Sequence, residues 1–242
     1  YHFNEKEKLF LDIFCQSEDP DMLSLGGIIM DEEAYPAEGL QEIVLDLARA
    51  SRHEAERMKR NICSMLFQEN MYINPRNIQL VSETNQALNH IMTLYLREGD
   101  CVIAEEPIVP DNASIFRNKG INLVTVPMDE DGMDLAMLEA AIKKYSPKFI
   151  YTMPNYHNPT GIVMSLEKRK GLLELAGKYC IPIIEEDSQR DFRYEGSRLP
   201  SLYSLDRYRS VVYIDSFTLT FPCGIKTGYI VGPTDLIDTL GR

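Results

Sequence analysis

The stretch KFIYTMPNYHNPTGIVMSLEKRKGLLELAGKYCIPIIEED, residues 148–187, contains the pattern that decides the fold. It begins with a continuous apolar run at 148–154 and continues through a turn rich in Pro and Asn. An amphipathic helical segment follows, with Ser165 at its N-cap, and a second apolar run occupies 181–187. A buried strand, a helix and another buried strand predict a parallel pair joined by a crossover helix.

The same alternation extends in both directions along the chain. Further strands are predicted at 77–82, 101–106, 121–128, 210–217 and 226–233, and further helices at 84–96, near 111–120 and at 134–145. We therefore predict an α/β domain with a mostly parallel, mixed sheet sandwiched by helices. In such sheets ligands bind beyond the carboxyl ends of the strands, so the residues that follow each strand are the candidates for a site.

Composition and charge exclude several classes of function. The 242-residue chain carries 37 acidic and 25 basic residues, a formal net charge of -12, which repels nucleic acid and anionic membrane surfaces. Its first residues contain no cleavable apolar core, and no stretch approaches the roughly 18 apolar residues of a membrane span. We expect a cytoplasmic protein that binds neither nucleic acid nor a membrane.

The sequence also gives no support for a disulfide framework or a metal site. The cysteines are odd in number, widely scattered and without C-x-x-C spacing: Cys15, Cys63, Cys101, Cys180 and Cys223. The adjacent carboxylates Glu185, Glu186 and Asp187 follow a strand, but neighbours on a strand point to opposite faces, which disfavours a shared metal. No Gly-rich nucleotide-binding motif is present.

Three motifs follow successive strands in a definite order: NPTG at 158–161, IIEEDSQRDFRY at 183–194 and SFTLTFPCGIKTGY at 216–229. Together they resemble the large domain of class I/II aminotransferases, which are fold-type I enzymes that use pyridoxal 5'-phosphate (PLP). They are most similar to the aminotransferase-like domain of MocR-type regulators of the GntR family. The resemblance covers residues 22–242, after an N-terminal helical segment at 1–21, and the family's small C-terminal domain is expected to be absent.

The resemblance implies a set of PLP contacts. Asp187 matches the carboxylate that keeps the pyridine nitrogen protonated, so that the ring acts as an electron sink, and Asn158 matches the partner of the ring 3'-oxygen. For the phosphate, a helix N-terminus with a hydroxyl and a cation is required.

Four positions match those phosphate requirements of the family. Thr84 and Asn85 match the backbone donors that open a helix, and Ser216 matches the hydroxyl. Lys226 replaces the usual Arg, and it offers the phosphate a point charge in place of a two-pronged contact.

Other positions depart from the family pattern. Leu219 occupies the place of the lysine that forms the Schiff base, and leucine has no nucleophilic group. Val109 replaces the aromatic residue that stacks on the ring, and Ser188 replaces a tyrosine. Glu83 replaces a small glycine before the phosphate donors and would repel a phosphate dianion unless it points away.

These departures predict a catalytically inactive domain whose binding of PLP is weak and noncovalent, or lost. It would serve as the effector or dimerisation domain of a GntR/MocR-type regulator, with a small molecule or a PLP-type compound as ligand. The alternative is a functional PLP-dependent aminotransferase, acting on an amino acid, in which the lysine has been mutated. Fold-type I enzymes form their sites at a dimer interface, so a homodimer is expected, with helices in 40–66 supplying apolar surface.

Overall fold

The computed structural model describes residues 52–220 and 226–241. The predicted N-terminal helical segment at 1–21 and the first part of the predicted dimer surface, 40–51, lie outside these residues.

Strands and helices alternate along the described chain, as the apolar patterns predicted. The strands are β1 (Ile78–Val81), β2 (Cys101–Glu106), β3 (Asn122–Asp129), β4 (Gly132–Met133), β5 (Phe149–Thr152), β6 (Ile183–Glu186), β7 (Val211–Ser216) and β8 (Gly228–Val231). The helices are α1 (Arg52–Phe67), α2 (Thr84–Tyr95), α3 (Pro110–Asn118), α4 (Leu135–Tyr145), α5 (Leu166–Tyr179), α6 (Leu202–Leu205) and α7 (Thr234–Leu240).

The described strands form one mixed sheet in the order β1-β8-β7-β6-β5-β2-β3-β4. The pairs among β3, β2, β5, β6 and β7 are parallel, whereas β8 runs antiparallel to both β7 and β1. The predicted α/β class and mostly parallel sheet are confirmed. Because β8 is reversed, its first residue lies at the edge where β1 and β7 end.

Capping side chains explain where two of the helices begin. Ser165, predicted as an N-cap, accepts a hydrogen bond from the N–H of Lys168 at 3.2 Å and starts α5. Asp134 accepts hydrogen bonds from the N–H groups of Ala136 and Met137 and starts α4. The short strand β4 and the single-turn helix α6 were not predicted, because neither is long enough to show a hydrophobic period.

Two apolar layers cover the faces of the sheet, and the alternation along each strand decides which layer a side chain joins. Ile184 lies with Leu88 and Ile91 of α2 on one face. Its neighbour Ile183 lies with Leu172 of α5 on the other face. Adjacent residues at the end of β6 are therefore expected to face different environments.

Helix α1 packs on the strands at the β1 edge of the sheet. Ile62 and Leu66 are buried there against Tyr213 and Tyr229. These side chains belong to the core of this chain, so a dimer surface on α1 would have to use its other face. Within 52–220 and 226–241, no helix is both long and apolar enough to span a membrane.

Candidate cofactor site

The predicted site residues meet at one edge of the sheet. Strands β1, β5, β6 and β7 end at this edge, and β8 begins there. The register pairs Val81 and Ser216 with the same residue, Gly228. A Cβ atom at Gly228 would lie 3.1 Å from Ser216 Cβ and 3.3 Å from Glu83 Cα, so only glycine allows this close approach.

The N-terminus of α2 lies at the end of the site predicted to hold a phosphate. Glu83 is its N-cap residue, and its side chain makes no capping hydrogen bond. The carboxylate instead reaches Lys226, with 3.1 Å between Glu83 Oε2 and Lys226 Nζ. The structure therefore brings Thr84, Ser216 and Lys226 to one place, together with the carboxylate of Glu83.

A buried network that the sequence analysis missed lies next to the N-terminus of α2. Glu186 Oε1 accepts hydrogen bonds from Thr84 Oγ1 at 3.0 Å and Ser188 Oγ at 3.1 Å. Its Oε2 accepts one at 2.6 Å from the hydroxyl of Tyr151, which accepts a hydrogen bond from Asn112 Nδ2. Burial raises the pKa of Glu186, and these hydroxyl donors oppose that shift.

The alternation of side chains along β6 places Glu185 and Glu186 on opposite faces of the sheet, as expected. Glu185 points away from α2 and accepts hydrogen bonds from the N–H groups of Leu202 and Tyr203, both at 2.8 Å. Glu186 faces α2. The sequence predicts that adjacent side chains of β6 face opposite sides of the sheet. It does not show which of the carboxylates faces α2.

Asp187 lies beyond the end of β6 and is held by the protein itself. Its Oδ1 accepts a hydrogen bond from Asn155 Nδ2 at 2.6 Å, and its Oδ2 accepts one from the Tyr213 hydroxyl at 2.9 Å. Burial raises the pKa of Asp187. Each carboxylate oxygen therefore has one donor from the protein and can accept a further hydrogen bond.

The NPTG motif forms a compact turn after β5. The Asn158–Pro159 peptide bond is cis, and Gly161 has a φ of 73°, a conformation that glycine adopts without strain. The N–H of His157 donates to the carbonyl of Ile162 at 2.9 Å, which closes the turn. Asn158 is half-buried.

A buried guanidinium group connects this turn to neighbouring segments by hydrogen bonds. Arg169 of α5 donates hydrogen bonds to the carbonyl oxygens of Met164, Pro154 and Pro200, at 2.9 to 3.1 Å. It also donates to Asn155 Oδ1 at 2.7 Å, and Asn155 in turn holds Asp187. Sequence reasoning did not single out Arg169, which lies in an ordinary amphipathic helix pattern.

A second pair of ionisable groups is buried beside the same turn. His157 Nε2 lies 3.5 Å from Glu105 Oε2, and both side chains are almost completely buried. Burial raises the pKa of Glu105 to about 7, against the hydrogen bonds it accepts from Thr152 and the Met153 N–H. Burial lowers the pKa of His157 to about 4.

Leu219 lies in a turn directly after β7. The N–H of Thr220 donates to the carbonyl of Phe217 at 3.0 Å, which closes the turn around Leu219. The sequence contains no lysine between Lys178 and Lys226, so this turn offers no amine. Val109, which the resemblance assigns to ring stacking, is the half-buried N-cap residue of α3 and has no aromatic ring.

The sheet order, the helix N-terminus at β1, the NPTG turn and the carboxylates after β6 define an α/β domain of the PLP-dependent fold-type I class. The sequence profile of the family "Aminotransferase class I and II" matches residues 48–242. The chain belongs to this family, and the resemblance drawn from the motifs is confirmed.

The relatives include both regulators and enzymes. The uncharacterized HTH-type transcriptional regulator YisV of Bacillus subtilis is 28% identical over 91% of this chain and 47% of the regulator. The 2-aminoadipate transaminase of Thermus thermophilus is 28% identical over 93% of this chain and 58% of the enzyme. The chain therefore spans about half the length of the curated relatives it matches.

Solved structures agree with the fold. An archaeal alanine:glyoxylate aminotransferase matches with a TM-score of 0.86 and 27% identity, over 96% of this chain and 61% of that one. Pyrococcus horikoshii kynurenine aminotransferase, in complex with PMP, matches with a TM-score of 0.85 and 25% identity, over 98% of this chain and 64% of that one. The predicted fold class is thus confirmed.

Proposed function

We propose that this domain is a catalytically inactive relative of the aminotransferases, and that it serves as the effector or dimerisation domain of a GntR/MocR-type regulator. The observation that carries the proposal is Leu219 in the turn after β7, at the position that the motif resemblance assigns to the Schiff-base lysine. Without an amine, the covalent anchor of PLP and the proton shuttle that the lysine provides are both missing.

The remaining side chains fit PLP poorly. PLP would supply an electron sink if it were bound. Asp187, which Asn155 and Tyr213 hold, still has lone pairs for the pyridine nitrogen, so the poor fit comes from two other positions. Val109 gives the ring no stacking partner, and Glu83 brings a negative charge to the phosphate end. We infer that PLP binds weakly and without a covalent bond, or does not bind.

The regulatory role is supported by similarity to two regulators. YisV and the uncharacterized HTH-type transcriptional regulator YdfD, both of Bacillus subtilis, match over 91% and 96% of this chain, and the matches cover 47% and 50% of those proteins. We therefore propose that a longer regulator of this kind uses the domain to respond to a small molecule in the cytoplasm. We also propose that the domain forms a homodimer, which light scattering of the purified protein would test.

The loss of catalysis is tested by reduction with borohydride in the presence of PLP, followed by peptide mass spectrometry. We expect no pyridoxyl adduct within the site of the wild-type chain. We also expect Leu219→Lys to remain inactive as a transaminase, because Val109, Ser188 and Glu83 are unchanged. Thr220→Lys, one residue further in the same turn, is the control for nonspecific reaction of a new lysine.

Two results would contradict the proposal. A pyridoxyl group on Lys226 of the wild-type chain would show that another lysine has taken over the anchor. Transaminase activity that returns in Leu219→Lys but not in Thr220→Lys would show that the rest of the site is intact, as in an aminotransferase with a mutated lysine.

A further inference from the structure

Three segments of the chain meet at the phosphate end of the site, where strand pairing holds them together. Val81 of β1 and Ser216 of β7 both pair with Gly228 of β8. Glu83 follows β1 by two residues and Lys226 precedes β8 by two residues. The close approach at Gly228, with 3.3 Å from an added Cβ to Glu83 Cα, brings these two charged residues together.

Two carboxylates of the chain lie at this end of the site, and one of them holds the cation that would contact a phosphate. Lys226 Nζ lies 3.1 Å from Glu83 Oε2, and Thr84 Oγ1 donates to Glu186 Oε1 at 3.0 Å. The Glu83 side chain makes no capping hydrogen bond to α2, and its carboxylate lies beside the ammonium group of Lys226. Glu186 is buried, and its two oxygens accept hydrogen bonds from three hydroxyl groups.

We propose that Glu83 substitutes for a ligand phosphate at Lys226 and thereby excludes phosphorylated ligands from this end of the site. This inference rests on the proposed loss of coenzyme function and names the charge that enforces it. A phosphate dianion that approached Lys226 would have to displace the Glu83 carboxylate or lie beside it. Like charges a few ångströms apart repel, and the helix N-terminus offsets only part of that repulsion.

The strength of the ion pair is not what excludes the phosphate. The Glu83 and Lys226 side chains are 32% and 53% exposed, and ion pairs with such exposure contribute little to stability. The exclusion comes from the fixed negative charge that Glu83 brings to the site. Removal of that charge should therefore improve phosphate binding with little effect on folding.

The probes are pyridoxamine 5'-phosphate and pyridoxamine, which differ only by the phosphate and cannot condense with a lysine. Their affinities are measured by isothermal titration calorimetry for wild type, Glu83→Gln and Glu83→Gly. Glutamine keeps the length of the side chain, whereas glycine restores the family residue and is accepted at an N-cap. Circular dichroism checks that each variant is folded.

The matched control is Glu139→Gln. Glu139 is 27% exposed and pairs with Lys178, which is 60% exposed, between helices α4 and α5. The control removes one negative charge from a similar ion pair away from the site. It therefore separates an effect of position from an effect of net charge.

We expect both Glu83 variants to bind pyridoxamine 5'-phosphate at least about tenfold more tightly than wild type, with less than about a twofold change for pyridoxamine. Glu139→Gln should behave as wild type. The inference is overturned if the Glu83 variants and wild type bind the phosphorylated probe equally or not at all, or if Glu139→Gln gives the same gain. A reduced pyridoxyl adduct in the wild-type site is a separate result, which would overturn the proposed function.

Discussion

The hydroxyl of Tyr213 donates a hydrogen bond to Asp187 Oδ2 at 2.9 Å, from the neighbouring strand of the sheet. Tyr213 is completely buried, and its hydroxyl also accepts a hydrogen bond from Arg190 at 3.2 Å. Together with Asn155, this phenol satisfies the carboxylate that the family resemblance assigns to a pyridine nitrogen. These two donors hold Asp187 in place without any ligand.

The variant Tyr213→Phe should therefore destabilise the fold. It removes a buried donor and leaves Asp187 Oδ2 without its hydroxyl partner, which costs about 1 to 3 kcal/mol. Urea unfolding followed by circular dichroism measures the change in the free energy of unfolding. Tyr72→Phe is the control, because Tyr72 is 75% exposed and should change stability by less than about 0.5 kcal/mol. Equal losses in the two variants would contradict the role assigned to Tyr213.

Arg169 should be the most costly single side chain to remove from the turn region. Its guanidinium is completely buried and donates to Met164, Pro154, Pro200 and Asn155. Arg169→Met fills the volume but leaves these acceptors without donors, so we expect a loss of about 3 to 5 kcal/mol in the free energy of unfolding.

The control for this variant is Lys170→Met, the next residue of the same helix. Lys170 is exposed, and its replacement should change the free energy of unfolding by less than about 0.5 kcal/mol. Both variants are measured by urea unfolding at the same pH. If Arg169→Met were as stable as wild type, the turn would not depend on the guanidinium.

Stability should fall as the pH rises from about 4.5 to about 7, because of Glu105. Burial raises the pKa of this carboxyl from 4.5 to about 7 in the folded protein. A raised folded pKa means that the stabilisation is complete below about pH 4.5 and is lost as the pH rises through about 7. The shift corresponds to a loss of about 3 kcal/mol at most.

The variant Glu105→Gln cannot ionise and should show a smaller loss of stability between about pH 5 and about pH 8. Asp215 adds to the remaining loss, since burial raises its pKa to about 7. His157, whose pKa is lowered to about 4, acts in the opposite sense, because its contribution is lost as the pH falls through that value. Glu106→Gln removes an exposed carboxylate of the same strand and should keep the wild-type dependence on pH. If the free energy of unfolding of Glu105→Gln and of wild type changed with pH in parallel, the pH dependence would not come from Glu105.

The sequence was sufficient for the elements and the family but not for the pairing of side chains at the sheet edge. Apolar runs and capping residues such as Ser165 predicted most strands and helices, because those signals are local. The partners of Asp187 and Glu186 were not predictable. These partners depend on the register between strands that are far apart in the chain. In the sequence, Tyr151 and Tyr213 have the pattern of ordinary core residues.

The predicted phosphate end shows the same limit. The sequence shows Glu83 at the position that the resemblance assigns to a glycine, but it does not show the direction of the side chain. That direction follows from the antiparallel strand β8, which returns Lys226 to the end of β1. The register between β1 and β8 joins residues about 150 positions apart, so no local pattern in the sequence specifies it.

Gly228 lies where β8 passes closest to the backbone of β7. An added Cβ would lie 2.8 Å from the carbonyl oxygen of Asp215 and 3.1 Å from Ser216 Cβ, and the backbone at that contact cannot rotate away as a side chain does. Gly228→Ala should therefore push β8 from β7 and lower the free energy of unfolding by about 1 to 3 kcal/mol. Gly241→Ala is the control, because its nearest contact would be 3.5 Å and its φ is -85°. Urea unfolding measures the free energy of unfolding of both variants. Equal stability of Gly228→Ala and Gly241→Ala would mean that β8 does not approach its neighbours as closely as the register indicates.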